Sequence, residues 1–179
     1  MPLTAQITLS VLAHEASSGD LSRTLRVTPA NYALGITDGT GANQAQVAWS
    51  ASRSGSATTT TDFDLSALAD TRDGAAVSVA FTAVKFLYIR NASATNPLWV
   101  GTNAAIPVGS FATNHWAGTP ISRGATTTGA LVVLQGGIVA ISMPTDSGVA
   151  VSGTSKILRI TGIVDHAYDI VLVGEGTVT

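Results

Sequence analysis

The chain contains no cysteine, which excludes disulfides, thiolate catalysis and zinc–thiolate centres together. Charge is scarce as well. Asp, Glu, Lys and Arg make up 11% of the 179 residues, against about 25% in an ordinary globular protein, so the surface is weakly charged and dominated by hydroxyls. With two lysines (Lys85 and Lys156), seven dispersed arginines and a net charge of −2, there is no basic patch to hold a phosphate backbone, and nucleic acid is not an expected partner. Long apolar runs are missing too. The nearest, Ala130–Met143, is interrupted by Gln135-Gly136-Gly137 and falls short of the roughly 18–20 residues of a membrane helix, so no membrane association is expected. The N-terminal MPLTAQITLSVLAHEA has no basic residue ahead of its apolar positions and reads as an alternating strand, not as a signal peptide. Helical periodicity is almost absent, the best candidate being one turn over Leu65–Asp70.

What fills the sequence is period-two alternation. Leu3, Ala5, Ile7, Leu9 and Val11 share one face of a strand, with Thr4, Gln6, Thr8 and Ser10 on the other. Leu21–Ile36 continues the pattern around a break at Pro29, which lacks a ladder donor, and Asp38-Gly39 supplies the positive φ of a tight turn. Gln44–Arg53 places Ala45, Val47 and Trp49 on one side. Further strands are expected around Phe63 and Leu65, over Val77–Arg90, Pro97–Gly101, Val149–Val151, Lys156–Ile160 and Tyr168–Val173. Ala69–Gly74 reads as a polar turn, and Gly129–Pro144 as a buried strand pair about Gly136-Gly137, a tight hairpin or a bulge. Many short strands with no helix predict an all-β fold, an antiparallel β-sandwich of jelly-roll-like type. One domain over residues 1–179 is expected, with residues 1–18 a candidate arm that exchanges with a neighbour.

Constellations with chemical promise are few. Asp62 and Asp64 fall on one strand face, where two carboxylates invite calcium or acid–base readings, but too few oxygen ligands accompany them and a solvated strand face is the better reading. His166 beside Asp165 sits in a turn entering the last strand, and the three histidines, His14, His115 and His166, are far apart. No phosphate loop, metal spacing or nucleophile elbow occurs, so no cofactor, no metal and no enzymatic activity are expected. Tyr88 and Trp99, with Trp116, are candidate aromatic contacts, and packing or subunit contact is favoured over a sugar platform. The irregular stretch Thr102–Gly129, carrying Phe111 and Trp116, reads as an interaction loop. Asn91-Ala92-Ser93 matches a glycosylation acceptor but is better explained as a turn.

Several blocks resemble a group of small structural proteins of tailed bacteriophages and prophages: GITDGTGANQAQVAWSASR (Gly35–Arg53), AVKFLYIRNASATNPLWVG (Ala83–Gly101), VVLQGGIVAISMPTDSGVAVS (Val132–Ser152), and the closing SKILRIT with YDIVLVG. Together they span 73 of the 179 residues. The resemblance implies a virion component with a jelly-roll-like sandwich: a homo-oligomer, with a trimer among the natural closures, that decorates the capsid as a cement protein or attaches at the neck or tail. Its implied partners are itself and other virion proteins, and its implied location is the virion. The alternative is a carbohydrate-binding module of a host-recognition fibre, with a glycan as ligand.

Overall fold

In a computed structural model of the chain, the described residues are 2–11, 14–16, 24–26, 30–102, 129–143 and 148–179. Among them there is no helix. Fifteen strands occur in the order β1 (Ala5–Val11), β2 (His14–Ala16), β3 (Thr24–Arg26), β4 (Ala30–Asp38), β5 (Gln44–Ala45), β6 (Val47–Gly55), β7 (Thr59–Asp64), β8 (Leu68–Arg72), β9 (Ala75–Asn91), β10 (Leu98–Thr102), β11 (Gly129–Val133), β12 (Ile138–Ser142), β13 (Val149–Ala150), β14 (Ile157–Gly162) and β15 (His166–Val178). The expected β-sandwich forms. One layer is a six-stranded sheet built on the path β12-β9-β15-β6, with β8 and β13 also paired to β9; the other is the four-stranded sheet β11-β10-β14-β7.

Alternation explains the principal core. Val47 and Trp49 of β6, Leu87 and Ile89 of β9, and Ile170 and Leu172 of β15 face Phe63 of β7, Leu98 and Val100 of β10, and Leu158 and Ile160 of β14 in one buried cluster. Trp49, Phe63 and Tyr168 stand edge to face, with centroids 5.5 and 6.5 Å apart, an arrangement that suits the ring quadrupoles. The Trp49 indole N–H is satisfied by the Ala69 carbonyl at 3.0 Å.

A third layer lies on the other side of the large sheet. β1 and β4 form an antiparallel ribbon in register from Ala5 opposite Ile36 to Val11 opposite Ala30, and β4 continues into a short parallel pairing with β5. Leu34, Ile36 and Ala45 pack on Phe86 of β9 and Val173 of β15 as a second, smaller core. β2 and β3 pair with each other in a separate two-stranded unit.

β9 and β15 are the spine, and their pairing is irregular in two places. Phe86 opposes Val173 and Val84 opposes Gly174, so Lys85 is an extra residue; Ala83 opposes Glu175 and Phe81 opposes Gly176, so Thr82 is another. These are β-bulges, which re-aim the side chains that follow. The core-facing positions of β9 accordingly shift from Val79 and Phe81 to Val84, then to Leu87 and Ile89. Glycine opposite the bulges is required. A Cβ on Gly174 would overlap the Ala83 carbonyl oxygen, and one on Gly176, at φ 157°, the Ala80 carbonyl oxygen.

The structure corrects three sequence expectations. Residues 129–143 do not form a buried hairpin, because β11 pairs with β10 in one sheet and β12 with β9 in the other. The turn at Leu134–Gly137, closed by the Gly137 N–H on the Leu134 carbonyl, is an arch between layers, and Val132, Leu134 and Ile138 are exposed. No helical turn spans Leu65–Asp70. A tight turn at Leu65–Ser66 leads into β8, which pairs with β9 so that the turn proper is Asp73-Gly74, both at positive φ. Finally, the last strand runs on through Gly174-Glu175-Gly176 to Val178, because those glycines accommodate the bulges of its partner.

Candidate functional site

The paired aspartates share the outer face of the four-stranded sheet, as their spacing predicts, but each is already engaged. Asp62 lies directly opposite Arg159 of β14 and accepts from Nε at 2.6 Å and from Nη2 at 2.7 Å. That two-pronged contact, helped by the carboxylate's charge and opposed by burial, holds the guanidinium proton more tightly than usual. Asp64 accepts from Lys156 Nζ at 2.6 Å and from the Ser66 hydroxyl and amide at 2.6 and 3.0 Å. Burial alone would raise its pKa; the donors from Lys156 and Ser66 outweigh it and hold the carboxyl below its ordinary value. The two carboxylates thus serve a cross-strand ion-pair ladder. Among the described residues no group of three or more His, Asp or Glu side chains converges to hold a metal ion.

His166 is a core residue. Its ring stacks on Tyr168 with centroids 6.1 Å apart, its Nδ1 lies 3.0 Å from the Ile163 carbonyl, and it occupies space that only glycine at positions 55 and 162 leaves open. Asp165, at positive φ in the preceding turn, presents its carbonyl to the Ser93 hydroxyl at 3.0 Å. The Asn91-Ala92-Ser93 sequence is the centre of a buried polar knot. The Asn91 amide nitrogen donates to the carbonyls of Asn96 and Val133, both at 2.9 Å, and its oxygen accepts the Ser93 amide at 3.0 Å. With both ends of the amide used and the side chain fully buried, the segment works as a turn that ties three loops at one end of the sandwich.

Tyr88 and Trp99 do not share a surface. Leu87 and Ile89 point into the main core, so Tyr88 turns to the opposite side and packs beside the second core under the ribbon. Leu98 and Val100 likewise face inward, which puts Trp99 on the outer face of the other sheet, beside Val132 and Thr161. A single sugar platform needs its rings side by side, and these two lie on opposite sides of the sandwich. Phe111 and Trp116 lie outside the described residues, as does the stretch 103–128.

The feature sequence reasoning missed is a buried ion pair. Lys85, the extra residue of a bulge, is 1% exposed. Its ammonium donates to the carbonyls of Thr40 and Gly41 at 3.1 and 2.7 Å and stands 2.8 Å from Glu175 Oε1. The contact with Glu175 is Coulombic and not an aligned hydrogen bond, because Oε1 has no partner of hydrogen-bond geometry. The two carbonyls belong to the turn between β4 and β5, so one ammonium fastens the base of the ribbon to the spine. A legible signal existed: Lys85 stands in the middle of the apolar stretch Ala83–Ile89 of β9 and Glu175 between two glycines of β15, and a charge buried in a core strand needs an opposite partner.

Two open hollows lie on the large sheet. One, of about 220 Å³, is bordered by Ser52, Arg53, Ala167 and Asp169, and its polar groups are engaged, with Ser52 Oγ donating to Asp169 at 2.6 Å and Arg90 3.8 Å from the same carboxylate. The other, of about 170 Å³, is bordered by Ala48, Ser50, Asp70 and Val171, where Asp70 accepts from Arg72 Nε at 3.0 Å. Neither is bordered by a histidine or lysine that could serve a serine as base.

The surface is more distinctive than the hollows. The ribbon runs from β5, where the Gln46 amide donates to the Gly174 carbonyl of β15, over Phe86 of β9, to Tyr32, whose hydroxyl meets Ser142 of β12 at 3.0 Å. β12 ends the sheet path, so the ribbon crosses the sheet as far as its edge strand. There its inner face comes into the open: Leu9 is 43% and Tyr32 42% exposed. Along the same edge Ile138 is 52% and Leu134 65% exposed.

No protein-family model, curated protein or solved structure matches the chain.

Proposed function

We propose that this chain is a non-enzymatic structural protein of a tailed-phage particle, a homo-oligomeric subunit that decorates the capsid or attaches at the neck or tail. The observation that carries this reading is the β1–β4 ribbon, laid across the sandwich with its one charged residue, Asp38, at one end and Leu9 and Tyr32 exposed at the other, over the edge strand β12. Leu9 and Tyr32, directly opposite each other in the ribbon, form an exposed apolar pair of the kind that suits an association face. The reading is supported further by the residues that invited chemistry, since Asp62, Asp64, His166 and Asn91 each serve the fold. The phage context comes from the resembling blocks. Its test is the mass of the purified protein by light scattering, alone and after mixing with tailed-phage particles assembled without it. A discrete oligomer that binds those particles is expected. A monomer that ignores them ends the reading.

A further inference from the structure

We infer that the β1–β4 ribbon is a strap: it lifts off the large sheet as one unit, latched by the Lys85 ammonium, while the two-sheet sandwich beneath stays folded. The face it covers carries Phe86 and Val173, so the latch sets how often an apolar seat is uncovered.

Three observations carry the inference. First, the ribbon has its own hydrogen-bonded structure. Among the described residues β1, β4 and β5 pair with one another and with no strand of the large sheet, whereas β9 and β15 share a ladder from Asn91 opposite Tyr168 to Val79 opposite Val178. Lifting the ribbon breaks no such ladder. The polar ties that the described residues make across the gap are the Tyr32–Ser142 contact, the bonds from Lys85 to the Thr40 and Gly41 carbonyls, and those of Gln46 with Gly174 and Gly176. Residues 2–45 all precede β6, so the chain passes from ribbon to sandwich once, at Gln46.

Second, the two cores are separate. The main cluster lies between the two sheets, while Leu34, Ile36 and Ala45 meet Phe86 and Val173 on the other side of the large sheet. No buried residue belongs to both. Removing the ribbon opens the small core and leaves the large one closed, which is the condition for a local opening that costs less than global unfolding.

Third, the latch is polar. A lysine is almost never fully buried unless it is paired, and Lys85 is held by two carbonyls of the β4–β5 turn and by Glu175. When the strap lifts, water reaches the ammonium and both carbonyls, which offsets much of the attraction lost. An apolar side chain in the same place would gain nothing from the exposure.

Because the chain has no cysteine, one introduced thiol reports the opening without background. Val173→Cys puts it in the seat under the ribbon and Val100→Cys in the main core, both native residues being buried. Each protein is exposed to a small aromatic disulfide reagent in native buffer, and the release of the coloured thiolate is followed. The thiol at position 173 is expected to react at least about 100-fold faster than the one at position 100, since a local opening precedes the global one. Adding Lys85→Met to Val173→Cys is expected to quicken its reaction at least about tenfold, because one side of a buried ion pair is gone. Equal rates for the two thiols overturn the inference, since the ribbon then opens only with the whole fold. A fast thiol at position 173 that ignores Lys85→Met overturns the latch. Should either cysteine variant fail to fold, native-state hydrogen exchange of the unaltered chain decides: amides of β1 and β4 exchange together and ahead of those at Leu87 and Ile89, or all exchange as one set and the strap is refuted. Neither readout involves a phage particle, so the proposed function stands or falls separately.

Discussion

Replacing Lys85 by methionine keeps the aliphatic stem and removes the ammonium. At 2.8 Å from Glu175 Oε1 and an effective dielectric of about 20, the gross attraction is about 6 kcal/mol, much of it offset by the cost of desolvating both ions. The deletion does not return that cost, because Glu175 stays in place with 19% of its side chain exposed and the Thr40 and Gly41 carbonyls lose their donor. Breaking one side of such a pair costs about 3–5 kcal/mol, and at about 2–4 °C per kcal/mol for a chain of this size the midpoint falls by about 6–20 °C. Urea unfolding followed by tryptophan fluorescence, with Trp49 in the core as the reporter, measures the loss. Adding Glu175→Gln to the Lys85→Met chain recovers part of it, and the double-mutant cycle gives a coupling of about 1–3 kcal/mol. Hydrogen exchange in the same variant quickens at Leu34 and Ile36 before it does at Leu87 and Ile89, because the ribbon is what the ammonium fastens. A cost below about 1 kcal/mol for Lys85→Met, or strict additivity in the cycle, would refute the reasoning.

Gly174→Ala and Gly176→Ala each force a methyl group against a carbonyl of β9 and are expected to cost at least about 2 kcal/mol in urea unfolding, whereas Gly153→Ala, with open space around it, stays within about 1 kcal/mol of the parent. Asp64→Asn is expected to lose under about 1 kcal/mol near neutral pH, since the ion pair is partly exposed. Because the folded-state pKa of Asp64 is lowered, that stability is present above the unfolded value and lost as pH falls through the folded one. The two proteins should therefore converge at strongly acid pH, and a difference that widens there contradicts the assignment. Tyr168→Phe removes a buried hydroxyl without a well-placed hydrogen-bond partner and should be neutral within about 0.5 kcal/mol or stabilising. Burial raises the Tyr168 pKa, against smaller pulls from Thr61 and Arg53, so the parent alone should lose stability as pH climbs above the ordinary tyrosine value, a loss that paired alkaline titrations of unfolding detect.

Much of the secondary structure was written in the sequence, because a two-residue period states which side chains share a face. Val47 and Trp49 read as one face and share the main core, whereas Ala45, read on that same face, packs in the second core on the other side of the sheet; Leu98 and Val100 read as opposite to Trp99 and are so. Lack of cysteine and scarcity of charge likewise determined that the described fold is held by burial and backbone ladders, with few ionic ties. What alternation does not carry is the identity of the sheet each face belongs to. β11 and β12 are separated by one short turn and have a hairpin's sequence, yet they enter different layers, since their partners β10 and β9 come from elsewhere in the chain. The same limit separates Tyr88 from Trp99, whose faces were legible and whose opposite directions were not. Bulges at Thr82 and Lys85 exist only because β15 offers Gly174 and Gly176 to them, a fit between residues some ninety positions apart that no local window contains. The Lys85–Glu175 pair depends on the same meeting of strands. Local sequence determined the strands and their faces through short-range geometry; the layers, the ion pair beneath the ribbon and the stripe left open at the sheet edge were decided by long-range pairing, where burial and backbone hydrogen bonding are shared between distant segments.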